Sequence, residues 1–236
     1  MLFYENKPVS ALPDVALIRG YDRDIYNYLD SNNVKIINST NGTFKTLDKY
    51  QMHICASKFG ISQPKTVIGN NLTYDELCKL FKSKTFVMKD RFGQCGENVF
   101  LIGNQEEFLN AKQNQNIKYI YQEYIEPSKG RDARLCVVGN KVFGPIERYS
   151  TNGDFRSNIS QRGASKLFLN MPEWVKDQSL KFAQSLGLEF CTVDYLISGD
   201  DYLFCEANAN AGLKVFFDED IDLQTEILTY IKNLKL

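Results

Sequence analysis

Two carboxylates and an amide near the C-terminal end, Asp194, Glu206 and Asn208, sit within the segments CTVDYLI and YLFCEAN. Both segments read as strands of one hairpin. If GDD (199–201) is a three-residue loop, Asp194 lies directly opposite Glu206. Asn208 then projects from the same face two residues further on, while Cys205 and Ala207 face the core. Opposed carboxylates repel by up to ~1 kcal/mol unless a cation lies between them. An all-oxygen site with few protein donors suits Mg²⁺, which keeps waters and takes phosphate oxygens for its other positions. A two-residue loop would instead put the carboxylates on opposite faces and leave an exposed acidic hairpin.

Several cations could serve the same chemistry. Lys89 ends the apolar strand TFVMKD and precedes a loop, RFGQCGEN, that contains Gly93 and Gly96. Such a loop can fold over phosphates with its backbone N–H groups while the lysine supplies a point charge. Lys49 falls on the first turn of a helix, where a cation is mildly unfavourable unless an anionic ligand sits at that helix end. Glu123, Tyr124 and Ile125 end a strand beside a turn with Pro127 and Gly130, and that polar edge could pair with adenine through its backbone. Asp132 could then accept hydrogen bonds from ribose hydroxyls. Arg134, Arg148 and Arg156 are spaced along the strands and loop that follow, and arginines clamp carboxylate and phosphate bidentately. The faces of Arg134 and Arg148 depend on the register of the turn between their strands.

The elements that must hold these residues can be read from periodicity and turn chemistry. DVALIRG (14–20) and VKIIN (34–38) read as parallel strands around a short helix. Thr46 is expected to cap a helix carrying Leu47, Tyr50, Ile54 and Phe59 and closed by Gly60. TVI (66–68), TFVMKD (85–90), VFLIG and YIYQEYI (119–125) read as strands, interleaved with helices that open at a Thr73–Glu76 capping box and at Asn104. RLCVVGNKVFGPIERY reads as a hairpin around Gly139-Asn140. A helix with Pro172 in its first turn runs to Gly187, and a terminal helix follows the last hairpin. The result is an α+β chain without repeats or low-complexity linkers.

Composition bounds the function. The chain has 236 residues, is 43% hydrophobic and carries a formal net charge of −1, which leaves no electrostatic footprint for nucleic acid or an anionic membrane. No signal peptide or membrane-length apolar run is seen. Six cysteines without a C-x-x-C pair read as free thiols in a reducing cytoplasm, with Cys95 in the glycine-flanked loop the one that could be reactive. His53, the single histidine, reads as a helix residue, and this excludes Ser-His-Asp chemistry.

Taken together, LDKYQM, FVMK, YIYQEYIEPSKGRDARLCVVGNKV, ERYSTNGDFRSN and VDYL…FCEANANAGL resemble the ATP-grasp superfamily, and within it the RimK-type glutamate ligases, over nearly the whole chain. The resemblance implies two α+β lobes gripping ATP, residues 46–125 and 126–236, after a shortened α/β lobe at 1–45. An N-terminal segment of a strand or two with a helix, present in relatives, would precede the first residue here. Lys49 and Lys89 are implied to contact the ATP phosphates, Glu123 to Ile125 the adenine and Asp132 the ribose. Arg156 is implied to contact the transferring phosphate, and Lys89 and Arg156 are the expected catalytic pair. Asp194, Glu206 and Asn208 match magnesium ligands (Mn²⁺ being the alternative ion), while Arg134, Arg148 and Asn158 match positions on the substrate side. Three departures stand out: Asp90 where relatives often have proline, Asn98 where they often have glycine, and Asn210-Ala211 in place of Ser-Pro.

The implied activity is an ATP-dependent carboxylate–amine ligase working through an acyl phosphate, with loops 90–98 and 150–163 as lids. The expected partners are ATP, a carboxylate and an amine carried by an amino acid, peptide or protein; homo-oligomerisation stays open. A ligase that cross-links side chains of a ribosomally made precursor peptide is the alternative within the same chemistry. A nucleotide-binding module without turnover is the alternative from another class.

Overall fold

The computed structural model describes residues 3–4, 7–8, 11–94, 96–114, 116–157, 163–168 and 170–234. The chain opens with an antiparallel pair, β1 (Phe3–Tyr4) and β2 (Lys7–Pro8). The expected parallel unit follows, with β3 (Val15–Leu17) and β4 (Lys35–Ile37) joined through α1 (Arg23–Ser31). Asp22 caps α1 by accepting the backbone N–H of Asp24 and Ile25, and Tyr26 and Leu29 pack its inner face against Val34 and Ile36.

Thr46 does not cap the next helix. It ends a short helix that periodicity does not reveal, α2 (Thr40–Lys45), whose TNGTFK sequence has poor helix propensity and is held by a Ser39 cap. The cap of α3 (Lys49–Lys58) is Asp48, which accepts from Tyr50 and Gln51 N–H and also takes a two-pronged ion pair from Arg91. A carboxylate is the better cap here because it meets both the helix dipole and an arginine.

Four antiparallel strands, β5 (Thr66–Ile68), β6 (Phe86–Asp90), β7 (Val99–Ile102) and β8 (Tyr119–Glu123), form a small sheet in the order β5-β8-β6-β7. Helices α4 (Tyr74–Phe81) and α5 (Gln105–Ala111) cover it, with Leu77, Phe86, Phe108 and Tyr121 at the centre of their shared core. The Thr73–Glu76 capping box and the Asn104 cap both form.

A larger antiparallel sheet contains β9 (Arg131–Val138), β10 (Lys141–Ser150), β11 (Gly163–Leu167), β12 (Phe190–Ser198) and β13 (Asp201–Asn208), in the order β11-β10-β9-β12-β13. On one side lies α6 (Glu173–Ser185), with Pro172 as its N-cap rather than inside its first turn. On the other lie α7 (Lys214–Phe217) and α8 (Leu223–Lys232). Leu135 and Val137 join the core with α6, and Cys136 and Val138 join the core with α7 and α8, so β9 is buried on both faces.

Both hairpins of this sheet use a two-residue turn followed by a register shift. Val138 pairs with Lys141, and a shift between Phe143 and Ile146 then sets Arg148 opposite Asp132. Ser198 pairs with Asp201, so the turn is Gly199-Asp200 and the expected three-residue loop is wrong. The carboxylates nevertheless face each other, because Cys205 is bulged out between the Tyr195–Phe204 and Asp194–Glu206 pairs. One extra residue in one strand flips the side-chain parity beyond it. Cys205, expected in the core, consequently lines a cleft beside Glu206.

Asn38 docks the N-terminal unit onto this sheet. Its Oδ1 accepts the Phe190 N–H at 2.6 Å, and its Nδ2 donates to the carbonyls of Phe190 at 2.7 Å and Ala209 at 3.3 Å. Replacing Asn38 with Ala leaves these buried groups unpaired, at a cost of about 2–3 kcal/mol. Urea unfolding should show a lower midpoint with an unchanged slope, and a loss under about 0.5 kcal/mol would remove Asn38 from this role.

Candidate active site

A cleft of about 370 Å³ is lined from the small sheet by Lys89 and residues 122–125, and from the large sheet by Asp132, Arg134, Arg148 and Glu206. That volume lies within the range of small-molecule pockets. Lys49, Arg156 and Asn208 also line it, so eleven of the thirteen expected site residues, the 123–125 edge included, converge on one space. Asp194 lies one layer behind Glu206, 1% exposed. Asn158 and Cys95 fall outside the described residues.

The glycine-containing loop is built where the sequence places it. Asp90 accepts the Phe92 N–H through its side chain, which starts the turn. Gly96 and Asn98 have φ of 76° and 52°, and asparagine is the side chain that best tolerates the left-handed region after glycine. The loop base is tied to α3 by the Arg91–Asp48 ion pair and by the Lys49 N–H donating to the Arg91 carbonyl at 3.0 Å. Lys49 Nζ donates to the Gly93 carbonyl, and Arg156 Nη1 donates to the Gly96 carbonyl at 3.1 Å. Asp154 orients Arg156 from behind, and Gly130 fixes the loop carrying both by donating to the Phe155 carbonyl. Burial pushes the Lys49 ammonium down; Glu206 opposes this and Lys89 reinforces it. Two lysines sharing a partly buried cleft mark a site short of anionic charge.

Below them the carboxylates are arranged in depth. Arg134 grips Asp194 with Nε at 2.8 Å and Nη2 at 2.6 Å. Arg148 grips Asp132 with Nε at 2.8 Å and Nη2 at 2.5 Å, and the same Nη2 reaches Asp194 at 2.9 Å. Burial alone would raise the Asp194 pKa, but Arg134 and Arg148 outweigh it and hold the carboxyl at about 2. The same two carboxylates raise Arg148 against the opposing effect of burial. The forks of both arginines are therefore committed inside the protein, and only what remains of each guanidinium can meet a substrate. Glu206 and Asn208 face the cleft, with Asn208 Nδ2 donating to Glu206 Oε1 at 2.9 Å. Hard oxygen donors of this kind (one carboxylate, one amide and the Asp194 carboxylate opposite) fit a magnesium ion that shares its remaining positions with phosphate and water.

Sequence reasoning missed Gln122 and undervalued His53. Lys89 Nζ donates to Gln122 Oε1 at 2.6 Å, and the Gln122 amide meets His53 Nε2 at 3.0 Å. The available signal was a glutamine inside the apolar strand YIYQE. It also missed Arg19, whose Nη2 donates to the Ala211 carbonyl at 2.5 Å and fixes the loop after Asn208. Burial pushes His53 down to about 4. Between that value and about 6.5 the unfolded chain binds the extra proton, so stability from this group is complete above about pH 6.5 and is lost toward pH 4, by about 3 kcal/mol. Melting of the parent and of His53→Gln from about pH 7.5 to 4.5 tests this. The parent should lose stability relative to the variant as pH falls, and a constant difference would show that His53 is not held neutral.

Residues 46–231 match the RimK-like ATP-grasp domain. A probable alpha-L-glutamate ligase of Cellvibrio japonicus is 33% identical over 175 residues, covering 72% of this chain and 58% of that protein. Human N-acetylaspartylglutamate synthase A is 26% identical over 225 residues, covering 89% of this chain and 57% of the synthase. The chain thus spans little more than half the length of these two curated relatives. Among solved structures, a D-alanine–D-alanine ligase from Bacillus anthracis complexed with ATP superposes with a TM-score of 0.71 at 18% identity, over 93% of this chain and 79% of that one, a likeness of fold. With the family match covering most of its length, this chain belongs to the RimK-like ATP-grasp family.

Proposed function

We propose that the protein is an ATP-dependent carboxylate–amine ligase that forms an amide or peptide bond through an acyl phosphate, adding an amino acid such as glutamate to a peptide, protein or small-molecule acceptor. The observation that carries this reading is the meeting in one cleft of Lys49, Lys89 and Arg156 with the Glu206–Asn208 pair. This arrangement handles phosphoryl transfer by positioning and charge and calls for no protein nucleophile. The one histidine is buried and engaged with Gln63 and Gln122.

In this reading adenine lies against the main chain of Glu123 to Ile125, where the strand leaves its ladder, and Asp132 is the ribose partner. Lys49 and Lys89 take the phosphates, Lys49 exchanging its Gly93 carbonyl partner for a phosphate oxygen and Lys89 using the N–H donors that Gln122 leaves free. Glu206 and Asn208, with Asp194 opposite, would hold magnesium (or manganese). Such an ion, when bound, would supply positive charge against the charge that develops on the phosphates. Arg156, aimed by Asp154, faces the transferring phosphoryl group while the substrate carboxylate attacks in line. The acyl phosphate then meets the amine, giving the amide, ADP and phosphate. Residues 90–98 and the loop through Phe155 close over the site and exclude water, which would otherwise hydrolyse the intermediate. Arg134 and Arg148 set the charge of the floor, and Asn210 to Gly212, held by Arg19, form part of the acceptor wall. Asn158 is proposed for the substrate side with them. Residues 46–125 and 126–236 serve as the two gripping lobes.

The test is ADP release with Mg-ATP across amino acids, peptides and small carboxylates, with products weighed by mass spectrometry. A substrate-dependent product heavier than its acceptor by one condensation establishes the ligase. Tight nucleotide binding with no ADP from any substrate favours the module without turnover. In the ligase, Glu206→Ala should cut magnesium-dependent turnover by on the order of 10²-fold or more, and turnover near the parent rate would remove Glu206 from the metal site. Lys89→Ala should raise the Michaelis constant for ATP and lower turnover, and no change in either would remove that lysine from the phosphates.

A further inference from the structure

Beneath the cleft, side chains from α3, β5, β6, β8 and the segment before β5 make a chain of hydrogen bonds with one direction. Lys89 Nζ donates to Gln122 Oε1 at 2.6 Å, which fixes the glutamine amide with its NH₂ pointing inward. That NH₂ meets Thr66 Oγ1 at 2.9 Å and His53 Nε2 at 3.0 Å. The Thr66 hydroxyl donates to the Pro64 carbonyl at 2.9 Å, so its oxygen is an acceptor for Gln122. His53 Nε2 must likewise accept, which places its proton on Nδ1, where Gln63 Oε1 accepts at 2.6 Å. Gln63 Nε2 closes the chain by donating to the His53 main-chain carbonyl at 2.9 Å. Every donor meets an acceptor, and reversing any one side chain would set two donors against each other.

We infer that His53 is a positioning residue for Lys89: as the neutral Nδ1–H tautomer it holds Gln122 so that the amide oxygen, not the amide nitrogen, faces the phosphate-binding lysine. The inference rests on the reading of the cleft as a nucleotide site. The geometry explains why a histidine is built into the apolar seam between the sheets. It is 3% exposed and packs edge-on against Phe204 at 5.6 Å, a place where a charged imidazolium would be desolvated and would repel Lys89. Burial pushes its pKa down to about 4, consistent with the neutral form the chain of bonds requires. Lys89 thus has an uncharged acceptor that steers it without neutralising it, and keeps its full charge for an anion. A carboxylate in place of Gln122 would compete with phosphate for the same ammonium.

The experiment uses the untagged full chain, whose single histidine gives one set of imidazole signals. Imidazole ¹⁵N shifts at neutral pH should report a protonated Nδ1 and a bare Nε2; the opposite tautomer, or an imidazolium, overturns the inference. Binding of Mg-ADP and of a non-hydrolysable Mg-ATP analogue is then measured by calorimetry. His53→Leu and Gln122→Leu should each weaken the ATP analogue by about tenfold, and the double variant by little more than either alone. His53→Gln, which can still present an oxygen to the Gln122 amide, should stay within about threefold of the parent. Equal loss in the Leu and Gln variants, tracking their melting temperatures, would mean that His53 only fills space. Parent binding with undiminished binding in His53→Leu overturns the relay alone. Absence of nucleotide binding by the parent overturns the nucleotide site and the relay with it.

Discussion

Four buried charges, Asp132, Arg134, Arg148 and Asp194, lie side by side on one face of the large sheet, and the geometry of the cleft depends on them. Taking each ion out of water costs several kcal/mol, and Coulomb attraction offsets this only when the forks and carboxylates meet in good geometry. Here the geometry is supplied by the ladder: Arg148 faces Asp132 across β10 and β9, and Arg134 faces Asp194 across β9 and β12. A cluster of two cations and two anions sums to no charge, so it forms a stiff floor without competing for the cations above it. Such a cluster is a poor route to stability, since apolar residues would pack there at lower cost. Its use is orientation: it fixes the depth of Asp194 directly behind Glu206, the carboxylate that reaches the cleft.

That floor exists because of two register shifts. A two-residue turn at Gly139-Asn140 alone would leave Arg148 on the face away from Asp132. A two-residue turn at Gly199-Asp200 alone would leave Glu206 on the face away from Asp194. The Gly144-Pro145 step and the bulge at Cys205 each add one residue and reverse parity beyond them. Both shifts sit between the turn and the charged end of the hairpin, where they re-aim functional side chains without altering the apolar pairing nearer the turn. The cores on either side of β9 fix which parity is tolerated, because a slip there would drive Cys136 and Val138 into the wrong layer.

This construction explains which features were legible in the sequence. The strands and most caps were legible because they follow local rules: the Thr73–Glu76 box and the Asn104 cap form as read. The Asp194–Glu206 opposition was reached from a wrong loop length, since the loop has one residue fewer than assumed and the strand one more. Bulges leave little mark in a residue pattern, and the same blindness hid the shared face of Arg134 and Arg148. Thr46 was mistaken for a helix cap because α2 forms through the Ser39 cap and docking against poor propensity, while Asp48 earns its capping place partly through Arg91, 43 residues away. Asn98 reads as a missing glycine, yet its backbone adopts the conformation glycine would supply. The Gln122–His53 contact joins residues 69 apart on two elements, and no local rule carries it.

Above the neutral floor, the three cations proposed to meet phosphate already have partners within the protein. Lys49 holds the Gly93 carbonyl, Arg156 holds the Gly96 carbonyl, and Lys89 holds the Gln122 amide oxygen. All three partners are uncharged oxygens. A phosphate offers the same cations charge-assisted bonds, which are roughly twice as strong as those to neutral acceptors. In the proposed ligase, phosphate entry would exchange the carbonyl partners of Lys49 and Arg156 for stronger acceptors, while Lys89 keeps Gln122 and offers its other donors. Both of those carbonyls belong to the glycines at 93 and 96, so that exchange would release them from Lys49 and Arg156. Cation capture and release of the two glycines would then be linked in one binding event of the proposed reaction. The neutral amide under Lys89 belongs to β8, inside the sheet ladder, and would hold that lysine in place during the same event.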